Sequence, residues 1–585
     1  MTRHQAIPPA FLGVERSLTG RRWVGPEPAL LRSAEALAQA TGLPPETALL
    51  LARADVPAEE VQDHLDPSLR ALMPDPSSLI DMDRAVSMIL QVLDAGGPVA
   101  IFADYDVDGG ASAALLLAWL RELGRDATLY VPDRIDEGYG PNVAAMEALA
   151  QRHGLIVCVD CGTLAHAPIA AARAAGAAVV VFDHHLGAET LPDAPVVNPN
   201  RQDETTPLTY LAAAGVVFMG LVALNRALRQ RGVSPPDLLG LLDLVALATV
   251  ADVAPLVGLN RAFVRQGLVV MARRARPGLA ALADVAGLRR PPAAYHLGFL
   301  LGPRINAGGR VGRADLGARL LAETEPSRAA ALAEELDRLN TERRRVEADV
   351  PREGEAQPEG NGLDGPFVWA AGAGWHPGVV GIVAARLKEQ FNRPAIVIGL
   401  DGGLGKGSGR SVEGIDLGAA VAICAREGLL LGGGGHKMAA GLTVAADALH
   451  PAMARLGALL ERQGAGSTGP KDLTLAGLLR PAAVTADLIA RIESVGPFGA
   501  GAPPPRYVVP AQRIASVRRI GEAHLRITLG QNEPSAVLFR AFEGPLGKAL
   551  EDHDGRSFHL AGQLEIDDWG GRRRASLRIE DAAPA

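Results

Sequence analysis

The chain has 585 residues, of which 48% are hydrophobic and 21% charged, with a net charge of −8 at pH 7. At about 150 residues per domain that length makes three or four domains. The acidic balance excludes wholesale coating of nucleic acid, which rests on neutralised phosphates, although it leaves room for one basic channel. Three cysteines, Cys158, Cys161 and Cys424, are too few for a disulfide framework. No run reaches the ~20 apolar residues of a membrane span, and the arginine- and proline-bearing N-terminus lacks a signal-peptide core. A cytoplasmic protein is the expectation.

Residues 1–80 mix short helical patterns with Pro-rich breaks and read as an N-terminal helical segment. Asp81 to Leu93 is an amphipathic helix leading into a region, 81–325, where strand and helix patterns alternate. Three apolar runs stand out there: Val99–Phe102, Leu155–Val159 and Val179–Phe182. Each ends in acidic or histidine residues, and the carboxyl ends of parallel strands border the ligand crevice of an α/β sheet. Ala111–Leu123 and Ala165–Ala175 read as helices between strands. The short separation of Asp160 and Asp183 suits a tight βαβ unit with both strand ends on one edge. Leu238–Val250 is an apolar helix running into Ala251-Asp252.

Residues 326–350 predict a solvated helix rich in both charge signs, ending in Arg343-Arg344-Arg345. The Gly- and Pro-rich stretch 351–366 completes a connector and linker over 326–366. A second α/β lobe is expected over 367–463, followed by a linker at 464–470. Over 472–585, short alternating runs separated by turns predict a small β-barrel. Arg518-Arg519 and Arg572-Arg573-Arg574 lie on its strands.

Asp104, Asp106 and Asp108 are spaced i, i+2, i+4, which on an extended backbone points all three to one side. Gly109-Gly110 then allow a turn into a helix. With Asp160 and Asp183-His184-His185, one cleft would hold five carboxylates and two imidazoles. Such charges repel one another unless a cation lies between them. Oxygen and imidazole donors suit Mn²⁺ or Mg²⁺ better than structural zinc. So many acids can hold two ions, and two ions suit phosphoester hydrolysis. Cys158 and Cys161 bracket Asp160 and read as packing residues of a strand-to-helix turn rather than a redox pair. Gly405–Ser411 imitates a phosphate-binding nucleotide loop but has Leu400 at the first glycine position and Gly407 after the lysine. A nucleotide-driven motor is therefore excluded, while an anion-holding loop is not.

Asp104–Gly109 (DYDVDG), Val159–Thr163 (VDCGT), Asp183-His184-His185 and Ala248–Asp252 (ATVAD) resemble, in order, the four motifs of the DHH phosphoesterase superfamily. Within it they are most similar to the RecJ family of bacterial 5′-to-3′ single-strand-specific DNA exonucleases. Gly302–Arg310 (GPRINAGGR) is similar to that family's DNA-contacting motif, and Gly432–Gly441 (GGGGHKMAAG) to the signature of the DHH-associated domain. The terminal β region resembles the family's OB-like domain. The resemblance implies an α/β protein of two α/β lobes, a DHH core with a parallel sheet and a DHH-associated domain, joined by a helical connector and followed by an OB-like β-barrel.

The resemblance also implies roles. Asp106, Asp108, Asp160, His184 and Asp252 would hold two Mn²⁺ or Mg²⁺ ions, Asp160 bridging them and Asp104 supporting. His185 would face the scissile phosphate. Arg304, Asn306 and Arg310, in a glycine-rich loop, would grip DNA phosphates. Ser408 and Arg410 would receive a 5′ phosphate, and His436 would make a substrate-side contact. Phe102 stands where many superfamily members carry a histidine, which thins one metal shell. Tyr139, Trp375 and Phe498 are candidates for base stacking. The implied substrate is single-stranded DNA, degraded to mononucleotides in recombination and repair. The implied partners are a single-stranded-DNA-binding protein and a RecQ-type helicase, and the implied state is a monomer away from membranes. The rival reading is a DHH phosphodiesterase for short oligoribonucleotides or cyclic dinucleotides, which would need neither the OB region nor the GPRINAGGR segment. A non-catalytic scaffold is opposed by the intact acids.

Overall fold

The computed structural model describes residues 9–133, 137–355, 365–466, 471–530, 534–567 and 574–585. They form two compact units, one of Asp66–Ala348 with Pro497–Pro503, the other of the flanking chain on both sides.

The first unit is built on a parallel sheet of β1 (Val99–Ala103), β2 (Ala127–Tyr130), β3 (Leu155–Val159), β4 (Ala178–Phe182) and β5 (Val196–Val197), in the order β2-β1-β3-β4-β5. Every residue of β1 and β3 is buried, because helices cover both faces of the sheet; such strands read as unbroken apolar runs. The alternation survives in what each side chain touches. Ile101, Val157 and Val180 join one apolar layer with α1 (Met82–Asp94) and α2 (Val107–Glu122). Phe102, Cys158 and Val181 join the other with α3 (Val143–Ala150) and α4 (His166–Ala174). From β1 the chain runs out to the edge strand β2 and then crosses back to β3 on the other side. The winding therefore reverses between β1 and β3, and doubly wound sheets bind ligands at that crevice.

Further helices thicken the first layer: α5 (Ala213–Gln230), α6 (Leu242–Ala251), α7 (Gly258–Ala272) and α8 (Gly302–Val311). The apolar sequence of α6 fits its near-complete burial. The long helix α9 (Pro326–Glu355) departs from the expected solvated connector. Ala329, Ala333, Leu336 and Leu339 recur at helical spacing and enter the core, so most of the charged residues line its outer faces. Arg343, from the arginine triplet, is buried, paired to Glu347 at 2.6 Å and bonded to Asn340 Oδ1 at 3.0 Å. The first residues of the expected linker, Pro351 to Glu355, continue this helix; its residues 356–364 lie outside the described residues, as do 467–470.

The second unit holds a mixed sheet of β6 (Val368–Ala373), β7 (Ala395–Asp401), β8 (Leu404–Arg410), β9 (Gly432–His436) and β10 (Ala439–Ala445), ordered β9-β10-β8-β7-β6. Gly402 and Gly403, at φ +54° and +83°, make the tight turn between β7 and β8. The C-terminal region forms a seven-stranded sheet in the order Gly477–Leu478, Tyr507–Arg513, Ser557–Asp567, Arg574–Pro584, Ser535–Leu538, His524–Thr528, Ser516–Ile520. Arg574 begins one of these strands; Arg572 and Arg573 lie outside the described residues.

The N-terminal segment 1–80 is divided between the units, its residues to Leu65 belonging with the C-terminal region. Trp23–Val24 pairs in parallel with Leu473–Thr474. Trp23 is fully buried against Leu473, Val508, Ala561 and Ala583, and its Nε1 donates to Asp581 at 2.9 Å. Local helical patterns carry no trace of a partner so far along the chain. Among the described residues no helix is long and apolar enough to cross a membrane.

Trp23→Ala is expected to cost about 3–5 kcal/mol through the cavity and the orphaned Asp581. Hydrogen exchange should show protection lost in Leu473–Thr474 and Arg574–Pro584 and kept in β1, β3 and β4.

Candidate metal centre

The chain leaves β1 at Ala103 and enters α2 at Val107. Asp106 is the N-cap of α2, with extended φ/ψ of −80° and −174°, and its carboxylate accepts the Asp108 N–H at 2.9 Å and the Gly109 N–H at 3.1 Å. This corrects the expected extended array of three aspartates. An N-cap satisfies the orphan donors of the first turn, so the helix begins between the second and third aspartate. A side chain at Gly109 would place its Cβ 2.4 Å from the Asp104 carbonyl oxygen, so only glycine permits this turn. Asp108 is buried, and its two oxygens accept the N–H groups of Ala213 (2.7 Å) and Ala214 (2.8 Å) at the start of α5.

Asp160 follows β3 with φ +59°, a left-handed conformation that costs strain in a non-glycine residue. Its N–H is held by the Phe182 carbonyl at 2.9 Å. Asp183, ending β4, is the organiser of the next loop. Its Oδ2 accepts from the Thr163 hydroxyl (2.7 Å) and N–H (3.1 Å), and its Oδ1 from the His184 N–H (2.7 Å) and His185 Nδ1 (2.8 Å). Asn198, just past β5, donates to the Thr163 hydroxyl and the His185 carbonyl, both at 2.8 Å. Asp252 caps the C-terminal end of α6.

These segments bring the predicted ligands together. His184 Nε2 lies 3.3 Å from Asp160 Oδ1 and 3.7 Å from Asp108 Oδ2, while its Nδ1 lies 3.8 Å from Asp252 Oδ2. Three overlapping sets result, Asp104-Asp106-Asp160, Asp160-His184-His185 and Asp108-His184-Asp252, with the donor atoms of each set all within 4.8 Å of one another. Asp160 is shared by two sets and His184 by two.

Burial, then the neighbouring carboxylates, pushes the Asp160 carboxyl well above its usual range and raises Asp252 to about 8. Burial raises Asp108 as well, with His184 and the Ala213 and Ala214 amides opposing. Asp160 Oδ1 is buried with no hydrogen-bond partner. A divalent cation would reverse each of these penalties, so the residues fit one. The oxygen-and-imidazole donor set suits Mn²⁺ or Mg²⁺. The nearby thiols offer no soft alternative: Cys158 and Cys161 are buried and free, and burial pushes Cys158 up to about 12. At His185, burial acts to lower the pKa, but the hydrogen bond and charge of Asp183 outweigh it and raise the ring to about 9. Phe102 packs in the opposite layer against Tyr130, ring centroids 5.3 Å apart, and supplies no donor.

The remaining predicted residues divide. The GPRINAGGR segment is the helix α8, not a loop. Arg304 is buried, its Nε bonded to Asp337 at 2.8 Å and its Nη1 to the Leu300 carbonyl at 2.7 Å. Asn306 Oδ1 accepts the Val107 N–H at 3.0 Å, so α8 helps to cap α2. Arg310 is half-buried at the last turn of α8. Ser408 and Arg410 lie on the strand β8 rather than in a loop, joined Oγ to Nη1 at 3.0 Å. Arg410 is opposite Ala439, which is opposite His436, so the two basic side chains share one row of the sheet. Tyr139 is a site residue by a different route from stacking: its hydroxyl lies 3.1 Å from His185 Nε2. Trp375 is buried and Phe498 half-buried. Sequence reasoning placed Thr163 in a motif without a role of its own and passed over Asn198; the Asn198-Pro199-Asn200 turn after Val196-Val197 was the available signal of a fourth strand end.

Residues 98–249 match the DHH family N-terminal domain, 364–462 the DHHA1 domain and 476–581 the RecJ OB domain. A curated Dickeya dadantii protein, the single-stranded-DNA-specific exonuclease RecJ, is 37% identical over 556 residues that cover 89% of this chain and 93% of the relative. The chain belongs to the RecJ family. The Escherichia coli RecJ is 35% identical, with the same coverage of both chains. The Bacillus subtilis RecJ is 34% identical, and the chain spans 64% of its length. A Thermus thermophilus RecJ crystal structure in complex with Mn²⁺ superposes with a TM-score of 0.78 at 29% identity, covering 96% of this chain and 79% of that one. The RecJ architecture of two α/β lobes and an OB domain is therefore shared by this chain.

With a chelator present, the stability contributed by protonated Asp252 is complete below its ordinary value of 3.8 and is lost as pH rises toward about 8. Melting curves across that window should decline for the metal-free protein. Asp252→Asn should flatten the decline, and saturating Mn²⁺ should remove it.

Proposed function

We propose that this RecJ-family chain is a divalent-metal-dependent exonuclease that degrades single-stranded DNA from the 5′ end to mononucleotides. The observation that carries the reading is the convergence of Asp104, Asp106, Asp108, Asp160, His184 and Asp252 from four chain segments, with a buried Asp160 oxygen that accepts no hydrogen bond. Single-stranded-DNA-specific exonucleases of similar sequence, and relatives whose structures contain Mn²⁺ or Mg²⁺, support it.

The six residues would hold the ions, and Asp160 belongs to two of the three donor sets. Bound there, divalent ions would supply charge neutralisation at the phosphodiester and a more acidic water. Asp183 fixes the ring of His185 through Nδ1, and Nε2, 3.1 Å from the Tyr139 hydroxyl, would exchange that contact for the scissile phosphate. Tyr139 touches the same ring and limits its rotation. Ser408, Arg410 and His436 form a second anion site for a 5′-terminal phosphate, using a guanidinium fork and a neighbouring imidazole. Arg310 grips a backbone phosphate, whereas Arg304 and Asn306 serve by fixing α8 and α2. The OB domain takes the strand that the chemistry consumes. The setting is recombination and repair in the cytoplasm, alongside a single-stranded-DNA-binding protein and a RecQ-type helicase.

End-labelled oligonucleotides with Mn²⁺ or Mg²⁺ test this. Digestion should need the metal, release 5′ mononucleotides and spare blunt duplex. Asp160→Ala should lower kcat by about 10³ or more, the worth of several kcal/mol of charge stabilisation. Duplex cut as fast as single strand, or an Asp160→Ala enzyme of undiminished rate, defeats the reading.

A further inference from the structure

We propose that Tyr295 and Phe299 form a stacking platform for the nucleobases of the strand at the metal centre. The inference rests on the exonuclease reading above and adds to it a contact with the bases rather than the phosphates.

Aromatic residues are 4% of the chain, and large ones such as Trp119, Phe102, Phe182 and Phe218 are fully buried. Tyr295 and Phe299 do the opposite. They are 54% and 68% exposed, yet their rings are stacked on each other, centroids 5.0 Å apart and planes at 23°. Ordering two large rings in water gains little from burial, so a solvent-facing pair needs another reason. They stand on the turn Ala294–Leu301, whose inner residues Ala294, Leu297 and Leu301 belong to the core. Leu297–Leu301 is wound as a π-helix, a rare form that recurs at functional sites.

The placement of this turn is the second observation. A Cβ at Gly298 would lie 3.4 Å from Val250, and one at Gly302 would lie 3.2 Å from Ala251 and 3.8 Å from Val107. Val250 and Ala251 lead into Asp252, and Val107 lies between Asp106 and Asp108. The turn that carries the two rings and the glycine that follows it therefore lie against two of the four segments that present metal ligands. Val253, the residue after Asp252, has φ +60° and is 70% exposed. A β-branched residue held in that conformation is strained, and this one adds apolar surface next to a ligand instead of entering the core.

The charge beside the rings fits a nucleic-acid strand. Arg290 Nε donates to His296 Nε2 at 3.1 Å, and the His296 ring meets Tyr295 edge-on at 5.8 Å. A guanidinium is thus held one ring away from the stacked pair, so a positive charge and flat π surface occur in the same neighbourhood, the combination that serves alternating phosphates and bases. Every base offers a π face, so the platform binds any sequence. It supplies affinity that phosphate contacts alone would make strongly salt-dependent.

The test compares the wild type with Tyr295→Ala/Phe299→Ala, in the full chain with Mn²⁺, on a thymidine oligomer and on the same oligomer carrying abasic residues. The double variant should raise KM for the base-bearing oligomer by about ten- to a hundredfold, as expected for one or two lost stacking contacts, with kcat changed by much less. Phe299→Trp should keep the wild-type KM, and on the abasic oligomer the two proteins should differ little. Equal KM values on the thymidine oligomer overturn the platform, as does a loss that is just as large on abasic DNA. A wild type that digests no single strand overturns the exonuclease reading, and this inference with it.

Discussion

Electrostatic repulsion among carboxylates forced into one crevice is the constraint around which the first unit is organised. β1, β3 and β4 are adjacent in the sheet, and the winding reverses between β1 and β3, so the acidic ends of separate segments meet there without any long loop. The cost of this arrangement is visible in Asp108, Asp160 and Asp252, whose carboxyls are all pushed upward. The fold spends ordered partners on holding them anyway. Asp108 is gripped by two amides of α5, Asp106 caps its own helix, and Asp160 accepts a strained backbone. Structure of this kind is pre-organisation: the ligands are fixed by the protein before a cation arrives.

Much of this was legible beforehand because it depends on local pattern. Runs such as Leu155–Val159 are long, β-branched and followed at once by an acid, and they appear as strands within a residue of expectation. The parallel sheet, the second lobe and the C-terminal β domain follow from the same signals. What escaped was set by distant partners. Trp23 reveals nothing of Asp581 in its own neighbourhood, and the charges of α9 conceal an apolar stripe that only the core makes meaningful. Glycines misled in a consistent way. In α8 and β8 they suggested loops, whereas several of them mark close approach inside regular elements, as at Gly309, where a Cβ would lie 1.9 Å from the Tyr105 ring.

The corrected motif has a mechanical reading. Asp337 on α9 holds Arg304, and Asn306, half a turn later on α8, holds the first amide of α2. Residues that looked like a phosphate grip thereby couple the long helix to the element bearing Asp108. Removing a charge at Arg304 would perturb the geometry of metal ligands as well as any contact with DNA, and the two effects separate only through metal affinity.

The bond between Trp23 and Asp581 has a consequence for how the protein is made. Its two partners are 558 residues apart, and synthesis proceeds at about 5–20 residues per second. The N-terminal segment therefore leaves the ribosome roughly 30 to 110 s before the strand that shelters its tryptophan exists. During that interval the sheet bearing the metal ligands can already fold. Trp23 is therefore among the last residues to find its place, and until then its ring lacks the apolar partners that bury it.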